Sequence, residues 1–130
     1  AANLAFGAYD LNGTPSQLLW GDRNLVLSWP IIQWFSNSFL GALTLEQRRD
    51  PDISPLYARL DGMPRALFTV GTMDPLLDDS LFMYERWRAA GNESEIAIYP
   101  EGVHAFNAYP TALARKADAR QLEFLRRAFA

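Results

Sequence analysis

Cysteine is absent from the 130 residues. That absence excludes a disulfide framework, a thiolate metal site and a cysteine nucleophile together, and it makes the cytoplasm the expected compartment. An excess of positive charge is lacking too: 12 basic residues stand against 15 acidic ones, scattered along the chain, for a net charge of -3. A phosphate-binding stripe is therefore not suggested, and nucleic acid is not an expected partner. No apolar run approaches the length of a membrane span, and no charged and then apolar leader precedes a small-residue cleavage site. The composition itself, 49% hydrophobic and 21% charged, is that of a globular chain with one modest core and at most one domain. It opens directly on an apolar stretch with no leader and no initiator Met, so further sequence is expected upstream.

Residues Asn3 to Tyr9 read as a buried strand closed by the turn residues Asp10, Asn12, Gly13 and Pro15. Ser28 is placed to cap a short helix opened by Trp29 and Pro30, with Ile31, Trp34, Phe35 and Phe39 expected on one face and Gly41 as its stop. Arg48 to Pro64 carries Pro51, Pro55, Gly62 and Pro64 and reads as a connector. The run Ala66-Leu67-Phe68-Thr69-Val70-Gly71 is nearly continuous in apolar residues, as in a strand covered on both faces. Asp78, Asp79 and Ser80 then open a helix with Met83, Tyr84, Trp87 and Ala90 at helical spacing, and Gly91 stops it. Glu95 to Tyr99 returns to strand composition, and Pro110 to Ala130 is helical, with Leu122, Leu125 and Phe129 expected inward. Strand, helix, strand, helix predicts an α/β fold: a parallel sheet with flanking helices that handles ligands at the loops beyond the carboxyl ends of its strands.

Both notable polar clusters fall in those loops. Asp74 follows the second strand, and Pro75 after it disfavours helical geometry at Asp74. His104, the only histidine, lies just past the third strand. In acyl transfer a histidine lifts the nucleophile's proton and later protonates the leaving group, while a carboxylate holds the imidazole in the required tautomer. Asp74 and His104 suit those two roles. The competing assignments are a satisfied loop histidine and aspartates that only cap a helix. A divalent-metal site built from Asp74, Asp78, Asp79 and His104 is a weaker alternative, because acidic residues before a helix already have a capping explanation.

The stretch Gly71-Thr72-Met73-Asp74-Pro75-Leu76-Leu77-Asp78-Asp79, with Tyr84, Ala90-Gly91, Tyr99 and His104-Ala105-Phe106, resembles the hormone-sensitive-lipase-like branch of the α/β-hydrolase esterases. Ser54-Pro55-Leu56 and Met63-Pro64 fit the same pattern, and the likeness runs from about Pro51 to the C-terminus. The resemblance implies that Asp74 is the acid and His104 the base of a catalytic triad acting on a small hydrophobic ester, with no cofactor and no resident metal. Asp78 is then a structural residue that orients the loop or caps the helix. Two departures stand out: Asp79-Ser80 where the family usually has Glu-Gly, and Ala105 where it usually has Gly after the histidine. Ala105 costs backbone freedom beside the histidine.

A nucleophile is missing. No Gly-x-Ser-x-Gly occurs, none of the seven serines sits on a strand-to-helix elbow, and an oxyanion loop of the His-Gly-Gly-Gly type is absent. By the resemblance both lie upstream, so residues 1–130 are expected to be the C-terminal section of one α/β-hydrolase domain, inactive alone and completed by an upstream segment carrying the serine. Residues 15–50 are then a cap-like or connecting insertion, in which Trp34 and Phe35 are candidates for a hydrophobic substrate pocket. The third strand has no later strand to pair with, and together with the resemblance this edge predicts a homodimer through Glu95 to Tyr99 and the final helix. The alternative function is a non-catalytic interaction module on the same scaffold, since fold alone does not fix function.

Overall fold

The computed structural model describes residues 1–130. Its elements are β1 (Ala2–Ala5), α1 (Pro15–Trp20), α2 (Trp29–Leu40), β2 (Ala66–Met73), α3 (Leu77–Ala89), β3 (Ser94–Val103) and α4 (Ala112–Phe129). Short 3-10 turns cover Gln47–Arg49, Pro55–Tyr57 and Phe106–Ala108. The three strands form one parallel sheet in the order β1-β2-β3, so β2 is central and β3 is an edge. No helix is long and apolar enough to cross a membrane.

The central strand explains the core. Residues 66–71 are all buried, and successive side chains go to opposite faces. Leu67 joins Ala97, Tyr99, Phe106, Ala117 and Phe124 under α4, whereas Ala66 and Phe68 join Leu60, Met83 and Trp87 under α3. Full burial of a side chain such as Phe68 or Phe124 contributes about 1.5–3 kcal/mol. The polar ends of the core are tied off: Trp87 Nε1 donates to the Pro64 carbonyl at 3.0 Å, and Arg127 reaches Glu95 on β3 at 3.0 Å.

Several expectations need correction. The first strand ends at Ala5 rather than Tyr9, because Phe6 adopts a left-handed φ of 54°, which an extended strand cannot continue through. The third strand is longer than Glu95–Tyr99 and reaches Val103. Helix α2 starts after Ser28 and stops at Gly41, but the Ser28 hydroxyl makes no capping hydrogen bond. Its inward face is Ile32, Ser36 and Leu40, spaced at i, i+4 and i+8, and Trp34, Phe35 and Phe39 are exposed. On α4 the buried face is Ala114, Ala117 and Phe124, while Leu122 and Phe129 are exposed. Phe124 supplies most of the bulk on that face, with the small Ala114 and Ala117 beside it and the partly buried Leu113 and Leu125 packed against the same cluster.

Candidate active site

The chain's two notable polar groups meet through a strand irregularity. Ala66 to Gly71 on β2 pair in order with Ser94 to Tyr99 on β3, but the next partners are Met73 and Val103. Two extra residues, Pro100 and Glu101, are thus accommodated on β3, with Glu101 at a φ of 59° and its N–H donating to Thr72 Oγ1 at 2.9 Å. Without this bulge the residue opposite Asp74 would be Gly102; with it, the strands deliver Asp74 and His104 side by side. The close packing also fixes one residue type. A Cβ on Gly71 would stand 1.9 Å from the Gly102 carbonyl oxygen, so only glycine fits there.

Asp74 is 1% exposed. Its Oδ1 accepts the Leu76 N–H at 2.8 Å, and its Oδ2 lies 3.0 Å from His104 Nδ1. A carboxylate only accepts, so Nδ1 carries the proton and Nε2 keeps a free lone pair as a base. The Phe6 ring stands edge-on to the imidazole at 5.6 Å between centroids and edge-on to Phe106 at 5.4 Å, closing one side of the histidine with apolar surface. Ala105, the residue after the histidine, takes the left-handed conformation (φ 53°, ψ 31°) that a glycine adopts without cost.

His104 also lines a cavity of about 410 Å³. Its walls are mainly apolar and include Phe6, Leu11, Ile32, Phe35, Phe39 and Leu76, and its other polar side chains are Gln17 and Ser36. Phe35 is therefore a wall residue. Trp34 is not: it projects into solvent, 64% exposed, and packs edge-on against Phe35 at 5.0 Å. Such a space, apolar with a few placed polar groups, has the chemistry of a small-ligand site.

The neighbouring aspartates do structural work, and Asp79 does most of it. Asp78 Oδ2 accepts the Ser16 N–H at 2.7 Å, while Ser16 Oγ donates to the Pro75 carbonyl at 2.7 Å and accepts the Asp78 N–H at 3.1 Å. Asp79 has no exposed surface and takes four hydrogen bonds, from the N–H groups of Tyr9 and Asp10 and from Thr14 Oγ1 and Gln17 Nε2, at 2.6 to 3.1 Å. Burial pushes its carboxyl above the usual carboxylate range, against the lowering effect of those donors. The Tyr9 phenol is pushed up as well, first by burial and then by the Asp79 charge. The sequence offered Asp79 as a helix-opening residue or, as a weaker alternative, a metal ligand, and neither is its main duty; its partners lie more than 60 positions away. The acidic groups thus face different ways, and no three histidine, aspartate or glutamate side chains gather as a metal site would require.

Known proteins share this fold. A hormone-sensitive lipase from a metagenome library is 31% identical, with a TM-score of 0.79 over 94% of this chain and 40% of its own length. The esterase LipW of Mycobacterium marinum, 24% identical, shares the fold with a TM-score of 0.87 over 98% of this chain and 40% of its own. An esterase of Acinetobacter venetianus is 38% identical over 53 residues, which is 41% of this chain and 16% of that protein. The chain spans less than half the length of each of these relatives. The family described as alpha/beta hydrolase fold matches residues 4–108, a stretch that runs from β1 through Asp74 to beyond His104. The match covers most of the chain, and the chain belongs to the alpha/beta hydrolase fold family.

Proposed function

We propose that this chain supplies the acid and the base of a serine carboxylesterase: Asp74 holds and orients His104, and His104 Nε2 is the proton carrier. The observation that carries the proposal is the 3.0 Å contact of Nδ1 with a buried carboxylate, on a histidine that lines an apolar cavity. In this reading Nε2 accepts the proton of a serine hydroxyl as the serine oxygen attacks the ester carbonyl, then returns it to the departing alkoxide. Water, activated by the same nitrogen, releases the acid and regenerates the serine. Asp74 stays ionised throughout and stabilises the imidazolium that forms at each step.

The serine and the oxyanion donors are proposed to lie on a further segment of a longer protein, a reading supported by the greater length of the relatives and by the absence of Gly-x-Ser-x-Gly here. The isolated chain is accordingly proposed to be inactive. We also propose a homodimer through β3 and α4; β3 is an edge, and Ile98, Leu122 and Phe129 are exposed apolar residues on these two elements. A monomer by light scattering at micromolar concentration, or a dimer indifferent to Ile98→Pro, counts against it.

The test of the acid and base is direct. In the intact protein, Asp74→Asn and His104→Ala each lower kcat on a short p-nitrophenyl ester by roughly 10³-fold or more. A folded variant of either kind with near-parental turnover refutes the role given to that residue.

A further inference from the structure

The cavity beside His104 is apolar except at two places that a plain alkyl group would leave unsatisfied. Gln17 is 1% exposed, and its amide is held one way round: Nε2 donates to Asp79 Oδ2 at 2.6 Å, and that carboxylate oxygen has nothing to donate. The amide oxygen, Oε1, accepts no hydrogen bond within the protein although the residue lines the cavity. Ser36, buried on the inward face of α2, lines the same cavity, and its hydroxyl has no partner. Gln17 thus brings one fixed acceptor, and Ser36 one hydroxyl that donates or accepts, to residues lining this cavity; Ser36 also borders a smaller neighbouring cavity lined by Asn12, Gln33 and Arg48.

We infer that this cavity receives the portion of an ester that carries a hydroxyl group, which donates to Gln17 Oε1 and accepts from Ser36 Oγ. The inference rests on the esterase reading above and specifies its substrate class. Discrimination follows from the water that a ligand displaces: a site that holds a substrate hydroxyl rejects the analogue lacking it, because a bound alkyl group would cover the site's polar atoms without giving them a partner. An apolar pocket separates the same pair of ligands only weakly. Asp79 is what makes the preference directional, since it prevents Gln17 from turning its NH₂ toward the ligand.

The experiment compares isosteric esters on the intact protein by pH-stat, with each rate divided by that of alkaline hydrolysis to remove intrinsic reactivity. Ethyl 3-hydroxybutanoate against ethyl 3-methylbutanoate tests a hydroxyl on the acyl side; 2-hydroxyethyl butanoate against propyl butanoate tests one on the alcohol side. The expected result is a kcat/KM ratio of about 10 or more in favour of the hydroxylated ester in one arm, and that arm identifies which half of the substrate the cavity holds. Gln17→Leu brings the ratio down toward one. Because that change also deprives Asp79 of a donor, Ser36→Ala serves as the second variant and lowers the ratio without touching Asp79. Hydrolysis of the plain esters with a ratio near one in both arms overturns this inference and leaves the esterase reading standing, and so does a preference that survives both substitutions. No hydrolysis of any of the esters overturns the esterase reading itself, and this inference with it.

Discussion

Adding one methyl group at Gly71 is expected to disable the site from a distance. Gly71 lies three residues before Asp74 on β2, and Gly102 lies two residues before His104 on β3, so their contact sets how closely the two functional residues approach. An alanine Cβ at position 71 would stand 1.9 Å from the Gly102 oxygen, 2.4 Å from its carbonyl carbon and 2.7 Å from its Cα. All three are backbone atoms, and no side-chain rotation relieves the clash. The strands must part by about 1.1 Å to restore the 3.0 Å below which real Cβ contacts essentially never fall. A comparable movement of His104 lengthens its 3.0 Å contact with Asp74 to about 4 Å, beyond hydrogen-bonding range. Misplacement of a catalytic group by ~1 Å costs on the order of 10²-fold in rate. Gly71→Ala should therefore lower kcat on a short p-nitrophenyl ester about 100-fold while KM changes much less, with circular dichroism confirming that the protein is folded. A folded Gly71→Ala protein with near-parental kcat would refute the idea that this contact sets the acid–base spacing.

Ala105→Gly should stabilise the intact protein by about 0.5–1 kcal/mol in urea denaturation, since relief of left-handed strain of roughly 1–2 kcal/mol outweighs about 0.4–1 kcal/mol of added unfolded-state entropy; a loss of stability would contradict the strain assignment. Asp79 has a folded-state carboxyl raised by burial, so its native state holds the proton more tightly than the unfolded state. The stability this gives is complete below about pH 3.9 and is lost as pH rises through the folded-state value, so parent minus Asp79→Asn stability should grow on acidification from neutral pH, and a pH-independent difference in urea titrations would overturn it. Phe35→Ala should change relative rates across an acyl-length series by about 1–3 kcal/mol per methylene while sparing the chemical step, whereas exposed Trp34→Ala should do less. Equal effects of the two substitutions would remove Phe35 from the wall.

The parts of the fold that were legible in the sequence are those whose neighbours are local or whose burial is complete. The apolar run of β2 could only be a strand covered on both faces, and Asp74 and His104 follow from their places after strands. The faces of α2 and α4 were misjudged because residue size is a poor guide to direction when a helix packs through small side chains such as Ser36, Ala114 and Ala117. The left-handed Phe6 and Glu101 carry no compositional signal, as neither is glycine, and Pro100 marks only that an irregularity is allowed on β3, not its size. The buried hydrogen-bonding role of Asp79 was not legible, because its donors Thr14 and Gln17 belong to a distant segment that folding alone brings near.

The fastening of residues 9–17 has a consequence for how substrate range can change. The chain leaves this region through Ser16 and Gln17, which are bound to Asp78 and Asp79, and comes back at Ser54 to Tyr57. The return is pinned to the same place: Ser54 Oγ accepts the Leu11 N–H, the Leu56 N–H reaches the Tyr9 carbonyl, and the Tyr57 hydroxyl donates to Asp10. Residues 18–53 thus form an excursion whose two ends are knotted together independently of its contents. For a loop with its ends already held, doubling the length adds only about 0.6 kcal/mol of closure entropy. Leu27, Ile32, Phe35, Ser36 and Phe39 of the cavity wall all lie within that excursion, whereas Asp74 and His104 lie just past the ends of β2 and β3. Under the proposed function the excursion is therefore an exchangeable cassette: its length and lining can be rewritten while Asp74 and His104 keep their geometry.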